Sequence, residues 1–352
     1  MGIMSATTRK PARALALPTL ICGLLAVAIA GCAPVGDQSE VVTPESEPVY
    51  PELSTYPDIP VIENIPYGTA DAEPLLLDAC FPADAAIDDP ESAPRPTIVS
   101  IHGGSWRSGD KASINWRSVC QWFASEGFVA VSVNYRLAPE YTFPAQFDDV
   151  QQAVLWLRDP AQVERYNIDP DRIGAFGGSA GGHLASLLGT AGSGDWTTGS
   201  RVAAVANLSG PVDLRSDIPT PSRPDINFGE VQLAFLGCTS FVDCEAAELA
   251  SPGSRIDETD PPFFVAHSID EFIPVRQSEQ FVEQLREAGI DTTFVTVEGT
   301  LHSIAMLDDE MRGRIIDFFT SKLGEPTVRV VDGEDVPDDE AAPVSTPAAP
   351  TQ

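Results

Sequence analysis

Ser179 stands in Gly177-Gly178-Ser179-Ala180-Gly181, a G-x-S-x-G arrangement. Before it lies Arg172-Ile173-Gly174-Ala175-Phe176, a short strand-like run, and after it His183-Leu184-Ala185-Ser186-Leu187-Leu188-Gly189, which has helical composition and a closing glycine. A strand, a tight bend and a helix together hold a serine hydroxyl out toward solvent as a nucleophile. Gly177 and Gly181 leave the room the helix needs to pack back on the strand. A capping serine at a glycine-rich helix start would show the same five residues, so the choice rests on whether a base, an acid and an oxyanion site accompany it.

A serine nucleophile needs a base to take its proton and an acid to orient that base. The chain has four histidines. His102 opens a His-Gly-Gly turn and is expected to hold that loop; His183 lies one helical turn beyond Ser179 and is expected to pack. His267 ends a strand and reads as structural. His302, in the loop Glu298-Gly299-Thr300-Leu301-His302-Ser303 after the last strand, is the expected base. The acid should follow the preceding strand, where His267-Ser268-Ile269-Asp270-Glu271 supplies Asp270, with Glu271 beside it. Asp213 is a rival one strand earlier, more in keeping with a local turn contact. The tetrahedral intermediate of acyl transfer needs N–H donors already in place. Gly103 lets the loop turn so that Gly104 and Ser105 present theirs, and Ala180 adds a third at the helix start. A dinucleotide loop is the competing reading of His102-Gly103-Gly104, and it fails because no G-x-G-x-x-G follows and no helix opens directly after it. The expected reaction is acyl transfer to water, with no metal and no organic cofactor.

These residues sit where strands give way to loops. Strands are expected at Leu75 to Phe81, Pro96 to His102, Phe128 to Tyr135, Ala203 to Ser209, Pro262 to His267 and Thr292 to Val297. Helices are expected at Val119 to Glu126, Phe147 to Arg158, Ser278 to Ala288 and Glu310 to Leu323. The alternation predicts an α/β fold with a mostly parallel central sheet and helices on both faces, and no segment is long enough for a large lid domain.

The 352 residues, 43% of them hydrophobic, suffice for one large domain with tails. Against 21 basic side chains stand 52 acidic ones, a formal charge of −31. Such a surface repels phosphate backbones and anionic headgroups, which excludes nucleic acid as a partner. The N-terminus combines Arg9, Lys10 and Arg13 with an apolar run from Leu15 to Ala30 and then Gly31-Cys32. This resembles a bacterial lipoprotein signal, which implies cleavage before Cys32, a diacylglyceryl group on its thiol, and membrane contact through that anchor alone. An ordinary secretory signal and an uncleaved anchor are the competing readings, and the apolar run is short for a full span. The expected organisation is a signal over 1–31, a Pro-, Glu- and Ser-rich tether over 32–60, the folded domain over 61–324 and an acidic Pro/Ala-rich tail over 325–352. Export places the remaining cysteines in an oxidising compartment. Cys238 and Cys244 form the local disulfide, while Cys80 and Cys120 either pair by elimination or stay buried as free thiols.

His102-Gly103-Gly104-Ser105-Trp106, Asn134-Tyr135-Arg136-Leu137-Ala138-Pro139-Glu140, Phe143-Pro144-Ala145, Gly177 to Ala185 and His267-Ser268-Ile269-Asp270 together resemble the hormone-sensitive-lipase-like α/β-hydrolases. Within them they are similar to the branch of bacterial feruloyl esterases and acetyl-hydrolases. The resemblance spans Tyr67 to Leu323. It implies the α/β-hydrolase fold and an exported serine carboxylesterase acting on short-acyl or aryl-acyl esters, with Ser179, Asp270 and His302 in the order of that fold. Ser105 stands where many members have Gly or Ala, and Ser268 where Gly is usual. The Pro-rich N-terminal segment and the modest insertion from Arg215 to Ala250 predict an open site, suited to small-molecule or polysaccharide-linked esters. Two other readings compete. An amidase is one, since kynurenine formamidases resemble the His-Gly-Gly-x-Trp loop and the Ser-Ala-Gly bend. A catalytically inactive binding protein of the same fold is the other.

Overall fold

The computed structural model describes residues 55–83 and 93–326. The expected signal, Cys32 and nearly all of the expected tether and tail lie outside them. The tether's last six residues are described, and they lie against the domain: Gln121 Nε2 donates to the carbonyls of Tyr56 and Ile59 at 3.0 and 3.2 Å, and Ile59 is buried.

Eight strands form one sheet: β1 (Val61–Ala70), β2 (Glu73–Cys80), β3 (Arg95–Ile101), β4 (Val129–Val133), β5 (Ile168–Gly178), β6 (Ala204–Leu208), β7 (Phe263–Ser268) and β8 (Thr292–Val297). Their spatial order is β1-β2-β4-β3-β5-β6-β7-β8. The β1–β2 and β2–β4 pairs are antiparallel, and every pair from β4 to β8 is parallel. The helices are α1 (Ile114–Ser125), α2 (Ala145–Leu157), α3 (Pro160–Tyr166), α4 (Ala180–Thr190), α5 (Phe228–Leu236), α6 (Glu245–Leu249), α7 (Arg276–Glu287) and α8 (Asp309–Leu323).

The period-2 alternation of a strand sends neighbours to opposite faces, and the core divides accordingly. Val99, Val129, Ala175 and Phe263 belong to one cluster, with Leu157, Leu184 and Leu285 from α2, α4 and α7. Their neighbours Ile98, Ala130, Phe176 and Phe264 belong to a second, with Phe123 and Phe319 from α1 and α8. Helices therefore cover both faces, and the central parallel strands, buried on each side, read as continuous apolar runs. Both disulfides are formed, with Cα–Cα distances of 5.9 Å for Cys80–Cys120 and 6.0 Å for Cys238–Cys244. The first joins the end of β2 to α1; the second closes the loop between α5 and α6.

That insertion is built into the domain. Asn227 caps α5 by accepting from the Glu230 N–H, Gly237 ends it with φ 70°, and Phe235 is fully buried. A side chain at Gly237 would meet left-handed strain, so glycine ends the helix there.

Candidate active site

Between β5 and α4 the chain reverses at Ser179, whose φ of 56° and ψ of −125° lie outside the regions open to an ordinary L-residue. Such a backbone costs on the order of 1–3 kcal/mol, and the bend is fixed by contacts only glycine permits. A Cβ on Gly177 would stand 2.2 Å from Gly181 O, and one on Gly181 would stand 1.9 Å from Ile101 O. The Ser179 N–H donates to Leu208 O at 2.8 Å, tying the bend to β6. From Ile173 to Thr190 every residue is buried except Ser179.

The loop after β3 comes to the same place. A Cβ on Gly103 would stand 2.8 Å from Gly178 O and 3.2 Å from Ser179 Cβ, so the loop backbone lies directly against the serine. Gly104, Ser105 and Trp106 follow with φ of 119°, 54° and 58°, a run of positive-φ residues of the kind from which anion-binding backbone nests are built. The N–H groups of Gly104, Ser105 and Ala180 have no acceptor among the described residues, as an oxyanion site requires.

Several side chains keep this loop in shape. His102 stacks on Tyr135, with ring centroids 4.3 Å apart, and the Tyr135 hydroxyl donates to His102 O at 2.9 Å. Burial lowers the pKa of His102. Ala138 N–H donates to Trp106 O at 2.8 Å, and Arg136 grips Asp149 through Nε and Nη2 at 2.9 and 2.7 Å, fixing the segment that supplies this donor. At the far end, buried Lys111 donates from Nζ to Asp78 Oδ1 at 2.6 Å and Asn64 Oδ1 at 3.0 Å.

His183, expected to pack, also joins three segments. Trp106 Nε1–H donates to its Nδ1 at 3.1 Å, and its Nε2–H donates to Ala250 O at 2.7 Å, so the neutral ring links the oxyanion loop, α4 and the insertion. Trp106 in turn stacks on Phe235 with centroids 4.3 Å apart. Complete burial lowers the His183 pKa from 6.5 to about 4. The unfolded chain therefore binds the extra proton first: this contribution to stability is whole above pH 6.5 and declines as pH falls toward 4, by about 3 kcal/mol at pH 4. Urea unfolding at pH 7 and pH 4 checks it. The stability lost between the two is expected to be about 3 kcal/mol smaller in His183→Gln than in wild type, and equal losses would refute the assignment.

His302 follows β8 on the loop that carries Gly299. Its neighbour Ser303 abuts the bend, since a Cβ on Gly178 would stand 1.9 Å from Ser303 Oγ, and Ser303 N–H donates to Ser209 Oγ at 3.1 Å. The serine and the histidine thus meet through their chain neighbours. No hydrogen bond joins Ser179 Oγ to the imidazole, a looseness common in sites without substrate.

The carboxylate partner of His302 is Glu271, which corrects the expectation of Asp270. His302 Nδ1–H donates to Glu271 Oε2, and the Glu271 side chain is fully buried. Asp270 is exposed. The reason lies in the backbone. The N–H groups of Ile269 and Asp270 donate to Val297 O and Gly299 O, each at 2.9 Å, extending the β7–β8 ladder beyond Ser268. Asp270 then stands at the tip of the turn with its side chain in water, and the chain folds back at Glu271. Burial would push the Glu271 carboxyl up, but the two imidazoles beside it, His267 and the hydrogen-bonded His302, outweigh it and hold the pKa below the usual value. Asp213 makes the local contact expected of it, accepting from Arg215 Nε and Nη2 at 2.9 and 2.7 Å.

The insertion reaches this centre as well. Ser222 Oγ donates to Glu271 O at 3.0 Å, and Phe228 lies 6.0 Å from Phe272, whose ring is 4.4 Å from that of His302. A separate polar cleft of about 340 Å³, between Arg215, Gln280 and Gln284, shares no lining residue with it.

The BD-FAE family model matches residues 84–285. Esterase LipC of Mycobacterium tuberculosis is 32% identical over 235 residues, 64% of this chain and 57% of LipC. This chain therefore spans little more than half the length of that relative. Arylacetamide deacetylase of Bos taurus is 47% identical over 95 residues, 27% of this chain and 24% of the deacetylase. Among solved structures, a truncated carbohydrate esterase from gut microbiota aligns with a TM-score of 0.61 at 26% identity, covering 75% of this chain and 96% of the esterase. The native Est2 esterase of Thermogutta terrifontis aligns with a TM-score of 0.60 at 25% identity, covering 80% and 96%.

Proposed function

The chain belongs to the BD-FAE family and has the α/β-hydrolase fold, and from that premise we propose that it hydrolyses carboxylic esters through Ser179, His302 and Glu271. The observation that carries this reading is the buried Glu271 carboxylate on His302 Nδ1, in a loop that abuts the strained serine bend. A histidine held by a carboxylate at Nδ1 presents an unprotonated Nε2, the tautomer a general base requires.

The steps follow from these roles. Ser179 Oγ attacks the ester carbonyl while His302 Nε2 takes its proton. The tetrahedral oxyanion is met by the free N–H groups of Gly104, Ser105 and Ala180, and Glu271 stabilises the imidazolium. The C–O bond to the alcohol breaks as His302 returns the proton to the leaving oxygen, giving an acyl-serine and a free alcohol. Water then attacks the acyl carbon by the same relay, releasing the acid and restoring Ser179.

As for substrate, the structural relatives, a carbohydrate esterase among them, support acetyl or other acyl groups on saccharide carriers. Export fits the sequence of the first 32 residues and the two disulfides, which persist in oxidising compartments; we propose attachment to a bacterial membrane through Cys32. The test is a substrate series. The purified protein is expected to turn over p-nitrophenyl acetate and butyrate and to release acetate from acetylated xylan. Cleavage of N-formylkynurenine with inert esters would instead establish the amidase reading, and inertness toward both classes would leave a binding protein.

A further inference from the structure

Of the four histidines, the proposed reaction uses His302, while His102 and His183 shape the oxyanion loop. His267 remains. It is fully buried near the end of β7, and every atom it could use for hydrogen bonding is engaged. Nε2 is 2.8 Å from Ile273 O; a carbonyl only accepts, so Nε2 carries the proton. Nδ1 is 2.7 Å from Ser278 Oγ on α7, and in the neutral ring it accepts from that hydroxyl. The same Nε2 edge lies against Glu271 Oε1, off the line of the N–H, which points at Ile273 O. The Glu271 carboxylate therefore sits between two imidazoles, Oε1 toward His267 and Oε2 bonded to His302.

We propose that His267 is a positioning residue for ester hydrolysis: clamped by Ser278 and Ile273, its ring stands as a fixed wall against Glu271 Oε1, so that the carboxylate cannot rotate and Oε2 stays committed to His302. The inference rests on the reading of Ser179, His302 and Glu271 given above. A glutamate needs such a clamp more than an aspartate does. Its extra methylene adds a torsion, and a carboxylate free to rotate would carry the His302 ring with it. The turn from Ser268 to Ile273 fixes only the Glu271 backbone, through Ser222 at its carbonyl. Oε2 is bonded to His302, and Oε1 has no hydrogen-bond donor among the described residues, so the His267 ring is what stands against it.

A merely structural histidine would affect stability and leave turnover by the folded protein alone; a positioning residue lowers kcat. The test compares His267→Leu, which removes the N–H, with His267→Gln, whose amide N–H reaches toward the position of Nε2, and with Ser278→Ala, which frees the ring. For each, kcat and KM on p-nitrophenyl acetate are measured beside the thermal midpoint. His267→Leu is expected to lower kcat about 10–100-fold with KM within about twofold, as small misplacements of a reacting group do. His267→Gln is expected to recover most of the loss, and Ser278→Ala to fall between. Wild-type kcat in Ser278→Ala together with equal loss in the Gln and Leu variants would overturn the proposal, and so would a lowered midpoint with unchanged kcat. Should His267→Leu not fold, the other two variants decide on the same terms. Glu271→Ala is run alongside: if it keeps wild-type kcat, the triad reading beneath the inference has failed; if it is slow while the His267 and Ser278 variants are not, only this inference has.

Discussion

Replacing Ser179 by alanine is expected to lower kcat on a short p-nitrophenyl ester about a millionfold, and replacing His302 by alanine to do the same. In the proposed mechanism the two side chains perform one step, transfer of the hydroxyl proton as the C–O bond forms, so removing either should abolish it. The double variant should then be no slower than either single one. A multiplied loss would mean that the two act separately and would sink the assignment. What remains in all three is the contribution of the oxyanion donors and of binding, which amounts to roughly a thousandfold or more over the reaction in water. The folded state should tolerate Ser179→Ala. The strain at φ 56° is held by Gly177, Gly181 and the Ser179 N–H bond to Leu208 O, none of which involves the hydroxyl. Equal unfolding midpoints for wild type and variant would show that the rate loss is chemical.

The same division between backbone and side chain explains what could be read from the residues alone. The serine bend was legible because its geometry is steric: glycines at 177 and 181 have no alternative once a Cβ would fall within 2.2 Å of a backbone oxygen. The parallel strands were legible because burial on both faces makes them apolar throughout, and β8 lies at the expected Thr292–Val297. At the margin of the sheet the signal weakens. β1 is exposed along much of its length and its register with β2 shifts twice, so no alternation marks it. Helices α3, α5 and α6, of seven, nine and five residues, are too short for a helical period to stand out. The insertion that holds α5 and α6 is modest in length, which predicts an open site, yet it places Phe228, Phe235 and Ser222 against the site. Its contacts are made across the fold, to Trp106, Phe272 and Glu271, and no local pattern announces them.

The acid is where local reading met its limit, and it gives the second large effect. Glu271→Gln is expected to lower kcat about ten-thousandfold, whereas Asp270→Asn should leave it within about twofold, as exposed substitutions do. Both residues follow the same strand, and both carry the required carboxylate. What separates them is that the β7–β8 ladder runs two residues past Ser268, leaving Asp270 at the tip and turning Glu271 inward between His267 and His302. A glutamine at 271 keeps the shape but can offer its amide nitrogen to His302 Nδ1. The ring would then take the other tautomer, with its proton on Nε2, where the base must be free. The loss should accordingly appear in kcat more than in KM and should shrink as the pH rises and hydroxide substitutes for the missing base. Should Asp270→Asn prove the slow variant and Glu271→Gln the fast one, the turn must rearrange when substrate binds. The ladder bonds at Ile269 and Asp270 would then be the first to open, which amide hydrogen exchange at those two residues would reveal.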